Sequence, residues 1–211
     1  MRHADKSESA AARKSMLTCA AAEPRMTVVA DELDRDPWVF NCMNGTLDLR
    51  TGELRAHDAG DLITRLAPVA FNPEAKAERF EQFLVEIMPD EGVRAFLQRF
   101  FGYALTGVIK EHVLPIFWGA QGRNGKGTLF ELIMKVMGPY ASPIPADVLM
   151  DKDGDAHPTE RAQLQHLPLA VASESKAQRR LSEDMVKGLT GGDTIRARFM
   201  RQDFFSFPPT H

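Results

Sequence analysis

At 211 residues the chain is long enough for one good hydrophobic core, or for a small helical domain beside part of a larger one. Hydrophobic residues make up 44% and charged residues 26%, an ordinary globular composition that excludes wholesale disorder. The formal net charge of -3 excludes a uniformly basic surface, so any contact with nucleic acid has to come from a local cluster of Lys and Arg. Cys19 and Cys42 lack metal-ligand spacing, which argues against a disulfide framework or a zinc site. No apolar run approaches a membrane span, and the polar, alanine-rich start is neither a signal peptide nor an anchor. A folded protein of the cytoplasm is expected.

Residues 1–35 read as a tail of low hydrophobicity, poorly ordered or helical from about Ala10 to Ala22. Trp38 to His57 reads as a two-stranded hairpin. Leu47 and Leu49 alternate with polar partners, Arg50-Thr51-Gly52 supplies the turn, and Leu54 and Ala56 resume the alternation. Leu66 to Pro73 looks like a connector. From Ala75 to Met88 the residues Phe80, Phe83, Leu84, Ile87 and Met88 fall on one helical face. Pro89-Asp90 stops that helix and starts a second, running to about Thr106. Val93, Phe96, Leu97, Phe100, Ala104 and Leu105 are expected inward, with Gly107 as C-cap. Residues 36–112 thus form a mainly helical domain carrying a β-hairpin.

The character then changes. Val113 to Trp118 is a continuous apolar run, a glycine-rich turn follows, and Leu129, Leu132, Ile133, Val136 and Met137 recur at helical spacing. Strand, loop, helix is the expectation, with a parallel sheet covered on both faces. Pro115 fits such a strand only at a sheet edge or bulge. Asp147 to Glu160 reads as a loop and Leu167 to Ala172 as a second buried strand ending at Ser173-Glu174. Ser182 is expected to cap a helix with Glu183 and Asp184 in its first turn. A second hairpin follows: Ile195, Ala197 and Phe199 alternate with Arg196 and Arg198, and Phe204 to Phe207 return.

The strongest chemical signal is Gly119-Ala120-Gln121-Gly122-Arg123-Asn124-Gly125-Lys126-Gly127-Thr128, between the expected strand and helix. Glycines let backbone amides surround phosphates, the helix N-terminus adds partial positive charge, and Lys126 reaches the β and γ oxygens. Two positions depart from the usual spacing. Ala120 stands where the first glycine is usual, with Gly119 one residue earlier. Gly127 stands where the Mg²⁺-ligating hydroxyl is usual, with Thr128 one residue later. Thr128 substitutes if the turn is tighter. Glu174, at the end of the second expected strand, is placed to hold the metal and orient an attacking water, although a surface Glu opening a loop accounts for its position equally well. Lys176, Arg179, Arg180, Lys187, Arg196, Arg198 and Arg201 cluster late, either as a solvated charged face or as a track for a phosphate backbone.

The chain resembles the phage and plasmid primase-helicases, whose motor belongs to the superfamily III helicases and is similar to the poxvirus primase-helicase. The matching pieces are Asn44-Gly45-Thr46-Leu47-Asp48-Leu49 with Thr51-Gly52-Glu53-Leu54, Phe101 to Gly107, Gly122 to Thr128, Ala172-Ser173-Glu174, and Lys187 to Arg198 with its Thr190-Gly191-Gly192-Asp193. The resemblance covers about Asp36 to Pro209. It implies a helical domain ahead of a RecA/AAA+-like P-loop ATPase core over 113–211, incomplete at its C-terminus, so that the fold class is α/β. It implies a homo-hexamer in the full-length relative, with ATP and Mg²⁺ between subunits, single-stranded DNA in the channel, no membrane, and the bacterial host cytoplasm as location. Gly122, Arg123, Asn124, Gly125, Lys126, Gly127 and Thr128 would bind nucleotide, Lys126 and Glu174 would be catalytic, and Thr128 and Glu174 would ligate metal. Lys187, Arg196, Arg198 and Arg201 would engage DNA.

In the family a γ-phosphate-sensing Asn and a trans-acting arginine lie beyond the position of His211, and residues 1–35 are too few for a polymerase-type primase domain. The expectation is therefore a fragment that binds nucleotide and DNA with weak or absent turnover. The rival expectation is a non-catalytic module, or a decaying gene remnant, that joins helicase hexamers. A small-molecule kinase is disfavoured because nothing resembles an acceptor-substrate lid.

Overall fold

A computed structural model of the chain describes residues 8–24, 26–119, 122–151, 158–173 and 180–210. They fall into two compact units: Met1–Arg35 with Ala59–Thr64, and Asp36–Asp58 with Arg65–His211.

In the first unit, helix α1 spans Ala10–Ala22, as the alanine-rich sequence leads one to expect. Ser9 Oγ caps it by accepting from Ala12 N at 3.2 Å, yet none of its residues is buried. Two 3-10 turns, Ala30–Glu32 and Ala59–Asp61, complete the unit. They are tied by Asp34, which takes a left-handed φ of 52°. Its amide donates to Leu62 O at 3.1 Å, and its carboxylate accepts from the Thr64 amide at 2.8 Å and the Thr64 hydroxyl at 2.5 Å.

The second unit opens with an antiparallel sheet, β1 (Val39–Cys42), β2 (Gly45–Asp48) and β3 (Leu54–Arg55), paired in the order β1-β2-β3. The expected two-stranded hairpin is therefore three-stranded, because Phe40 and Cys42 alternate inward and pair with Leu47 and Gly45. The connector after Leu66 runs along β1, with Ala67 N donating to Asn41 O and Met43 N to Val69 O.

Helices α2 (Glu78–Ile87) and α3 (Glu91–Ala104) follow, and Asp90 caps α3 by accepting from Val93 N at 2.9 Å. The apolar face expected on α2 is the half-buried one, Phe80, Phe83, Leu84 and Ile87. On α3, Leu97 and Ala104 are buried, but Val93 and Phe96, expected inward, stay 46% and 44% exposed. Phe96 packs on Phe100, one turn along, instead of entering a core.

Helix α4 (Lys126–Met137) carries the glycine-rich loop at its start. A 3-10 turn, Gly138–Tyr140, reverses the chain into β4 (Ala141–Pro145), which pairs in parallel with β5 (Leu169–Ser173). Alternation divides this two-stranded sheet between two cores. Ala141, Leu169 and Val171 join Phe40, Cys42, Ala67, Ile133, Met137 and Tyr140 on one side. Ile144 and Ala170 join Val148, Ala162, Leu164, Leu189, Ile195 and Phe207 on the other. That second side is supplied by α5 (Pro158–Ala162), α6 (Glu183–Gly191) and the antiparallel pair β6 (Ile195–Ala197) and β7 (Phe205–Phe207).

The chain is thus mixed α/β with a parallel pair buried on both faces, but the strand expected at Val113 to Trp118 is absent. That run forms no strand, and Ile116 and Trp118 are 72% and 83% exposed. Phe117 turns inward against Phe130 of α4, ring centroids 4.8 Å apart. Apolar composition does not make a strand without a ladder partner, and Pro115 removes one donor. The parallel pairing comes instead from β4, which its two prolines hid in the sequence.

Cys19 is exposed and Cys42 buried, and burial pushes the Cys42 thiol pKa up. Ionising Cys42 is easier in the unfolded chain, so its contribution to stability is complete below the ordinary thiol range and falls as pH rises through it. In the native protein an alkylating reagent is expected to modify Cys19 quickly and Cys42 only on unfolding in urea. Peptide mapping checks this, and equal native labelling of both thiols would contradict the buried position.

Candidate nucleotide-binding site

The loop enters α4 through Gly125, whose φ of 80° is left-handed. A Cβ there would lie 2.5 Å from Ile87 Cγ2 of α2, so both conformation and space demand glycine. Arg123 is also left-handed, at φ 60°. The other long helices of this unit offset their N-termini with their own side chains. Asp90 and Glu91 do so on α3, and Ser182, Glu183 and Asp184 do so on α6 as expected, Ser182 Oγ accepting from Met185 N. Helix α4 has no side-chain cap and no acid in its first turn, while Lys135 sits in its last. The Lys126, Gly127 and Thr128 amides have no intrahelical acceptor, and the positive end of the helix dipole is left for an outside anion.

The reversal at Gly138–Tyr140 makes α4 run against β4, the two being joined through Ile133, Met134 and Met137 packed with Ala141, Leu169 and Val171. The two parallel strands finish together in Pro145 and Ser173. Ligands of open α/β sheets bind at this carboxyl end. Glu174 follows Ser173 directly but lies outside the described residues, as do Ala120, Gln121, Lys176 and Arg179.

Within the loop, half-buried Lys126 donates from Nζ to Asn124 Oδ1 at 2.9 Å. Gly122 is exposed, with nothing within 4 Å of a Cβ built on it, and the same is true of Gly127. Thr128 is exposed as the third helical residue. Successive helical side chains turn by about 100°, so its hydroxyl emerges one step round from the position after the lysine, which Gly127 leaves bare.

The basic residues divide. Arg196 and Arg198 converge on Phe204, their guanidinium carbons 4.5 Å and 5.0 Å from its ring centroid. Continuing the Ala197↔Phe205 register by one residue sets Arg198 across from Phe204, so the hairpin's solvent face offers two cations on one aromatic ring. Arg201 is exposed in the turn with a left-handed φ of 60°. Lys187 stands apart on α6, paired at 3.2 Å with Glu183. With both partners exposed, that pair is worth only about 0.3–0.5 kcal/mol and yields readily to phosphate. Phe204 was not singled out by its residue type, although strand register could have found it; Ile87, which supports Gly125, has no local signal at all.

No helix among the described residues is long and apolar enough to cross a membrane. The family described as "D5 N terminal like" matches residues 1–89. The chain is 27% identical over 184 residues to a protein of Acanthamoeba polyphaga mimivirus named "Putative helicase L207/L206", covering 84% of this chain and 19% of that protein. It is 26% identical over 236 aligned residues to "Putative helicase 022R" of Frog virus 3 (isolate Goorha), covering 80% of this chain and 24% of that protein. The chain therefore spans about a fifth to a quarter of the length of these curated relatives. Taken with the motif order from Asn44 to Arg198, these matches support one relationship: the chain is similar to the D5-like primase-helicases.

Proposed function

We propose that this chain is the nucleotide-holding part of a DNA-replication helicase of the primase-helicase type, with ATP and Mg²⁺ at residues 119–128 and single-stranded DNA on the 195–207 hairpin. The observation that carries the reading is the start of α4, a helix without cap or acid, preceded by a left-handed glycine and opened by a lysine. Backbone amides of Lys126 to Thr128 bond the phosphate oxygens and the Lys126 ammonium neutralises the β and γ groups. Thr128 and Glu174 would supply oxygen ligands for Mg²⁺, which would neutralise phosphate charge there, and Glu174 would orient the attacking water. Phosphoryl transfer depends almost wholly on such positioning and charge stabilisation. In this reading the sheet is part of a RecA/AAA+-like superfamily III core that works as a hexamer.

On the hairpin, Arg196, Arg198 and Arg201 follow the phosphate backbone while Phe204 offers a ring face to a base. Such contacts are sequence-tolerant, as a moving motor requires.

Three outcomes are expected. Lys126→Ala lowers ATP affinity by about tenfold or more in calorimetry, the weight of a charged hydrogen bond to phosphate; wild-type affinity in this variant would remove the site. Gly127→Ser restores a hydroxyl next to the lysine in open space and raises the Mg²⁺-dependent share of ATP affinity, measured with and without chelator. Replacing Arg196 and Arg198 with Ala weakens single-stranded DNA binding and flattens its salt dependence by about one unit per lost phosphate contact, read by fluorescence anisotropy across a salt series. An unchanged slope would count against the hairpin.

A further inference from the structure

The loop residues are arranged in a way that the proposed nucleotide site does not itself require. Asn124 Oδ1 accepts from the Lys126 ammonium at 2.9 Å. The Asn124 carboxamide and that ammonium both lie over Gly119. A Cβ on Gly119 would overlap Asn124 Nδ2 and stand 2.9 Å from Lys126 Nζ. Gly122, by contrast, has nothing within 4 Å of such a Cβ. Glycine at 119, one residue ahead of the usual place, therefore has a steric reason: it is the floor on which Asn124 and Lys126 meet.

We propose that Gly119, Asn124 and Lys126 form a latch in which Asn124 holds the lysine ammonium in the place of a phosphate oxygen until nucleotide displaces it. The identity of the displacing ligand rests on the function proposed above. The physical logic is that a half-buried ammonium needs an acceptor, and a neutral carboxamide oxygen satisfies it less strongly than a phosphate does. The lysine is therefore pre-positioned and still exchangeable. Asn124 and Gly119 are positioning residues, acting through Lys126. An Ala at 119 pushes the carboxamide and the ammonium off the loop. A carboxylate at 124 keeps the acceptor and tightens its hold.

The test is the rate at which an amine-acylating reagent modifies Lys126, quantified by peptide mapping on the full chain with exposed Lys135 as internal reference. It compares wild type, Gly119→Ala, Asn124→Ala, Asn124→Asp and the control Gly102→Ala, whose helical Cβ meets nothing. Lys126 is expected to label about fivefold faster in Gly119→Ala and Asn124→Ala, slower than wild type in Asn124→Asp, and at the wild-type rate in Gly102→Ala. Equal labelling in wild type, Asn124→Ala and Asn124→Asp overturns the latch, and that trio decides the matter even if Gly119→Ala fails to fold. Adding ATP with Mg²⁺ separates the two ideas. Protection of Lys126 supports both, whereas the expected order of variants without protection leaves the latch standing and removes ATP as its release ligand.

Discussion

Tyr140 holds the larger unit together. It ends the turn between α4 and β4, its ring lies 4.4 Å from that of Phe40, and its hydroxyl accepts from the Asn41 amide and donates to Arg65 O, both at 3.2 Å. The Arg65 guanidinium lies over the same ring. One side chain, 4% exposed, thereby ties the antiparallel sheet to the reversal that aims the glycine-rich loop. The ring contact contributes about 1 kcal/mol beyond area burial, and removing the hydroxyl would take the acceptor from the part-buried Asn41 amide at a cost of about 1 kcal/mol. The hydroxyl bridges the Asn41 amide and the Arg65 carbonyl while the ring fills the core.

From that anchor the functional geometry follows. A three-residue turn cannot carry the chain far, so β4 starts beside the end of α4, where Ile133, Met134 and Met137 pack with Ala141, Leu169 and Val171. Ile87 then reaches from α2 to pack under Gly125. The loop is thus fixed from two directions, by the helix it opens and by the helical pair that precedes it. In general, a phosphate held at a helix start needs few side chains, because backbone amides and the dipole supply most of the attraction.

The exposed run Val113 to Trp118 differs from the rest of the unit. Phe117 and Phe130 pin it to α4, and Phe130 continues to Phe101 on α3, so it is placed even though it joins no sheet. Its apolar side chains, unlike those of β4 and β5, meet no second layer among the described residues. Similar hydrophobicity gives a paired, partly buried strand at 169–173 and an exposed segment here, and the two differ in whether a partner backbone is paired with them.

Local sequence determined a good deal of this protein. Ser9, Asp90 and Ser182 cap the helices that follow them, α2 half-buries the face its spacing marks, and a left-handed glycine precedes Lys126, because capping, helical phase and φ are settled within a few residues. The order of motifs from Asn44 to Arg198 was likewise enough to indicate the family. Tertiary structure alone decided the rest. Pairing chose the proline-bearing 141–145 over the apolar 113–118 as a strand, packing left Val93 and Phe96 outside, and register brought Phe204 between Arg196 and Arg198. Each of these depends on a partner distant in sequence, and no local pattern encodes where that partner will stand.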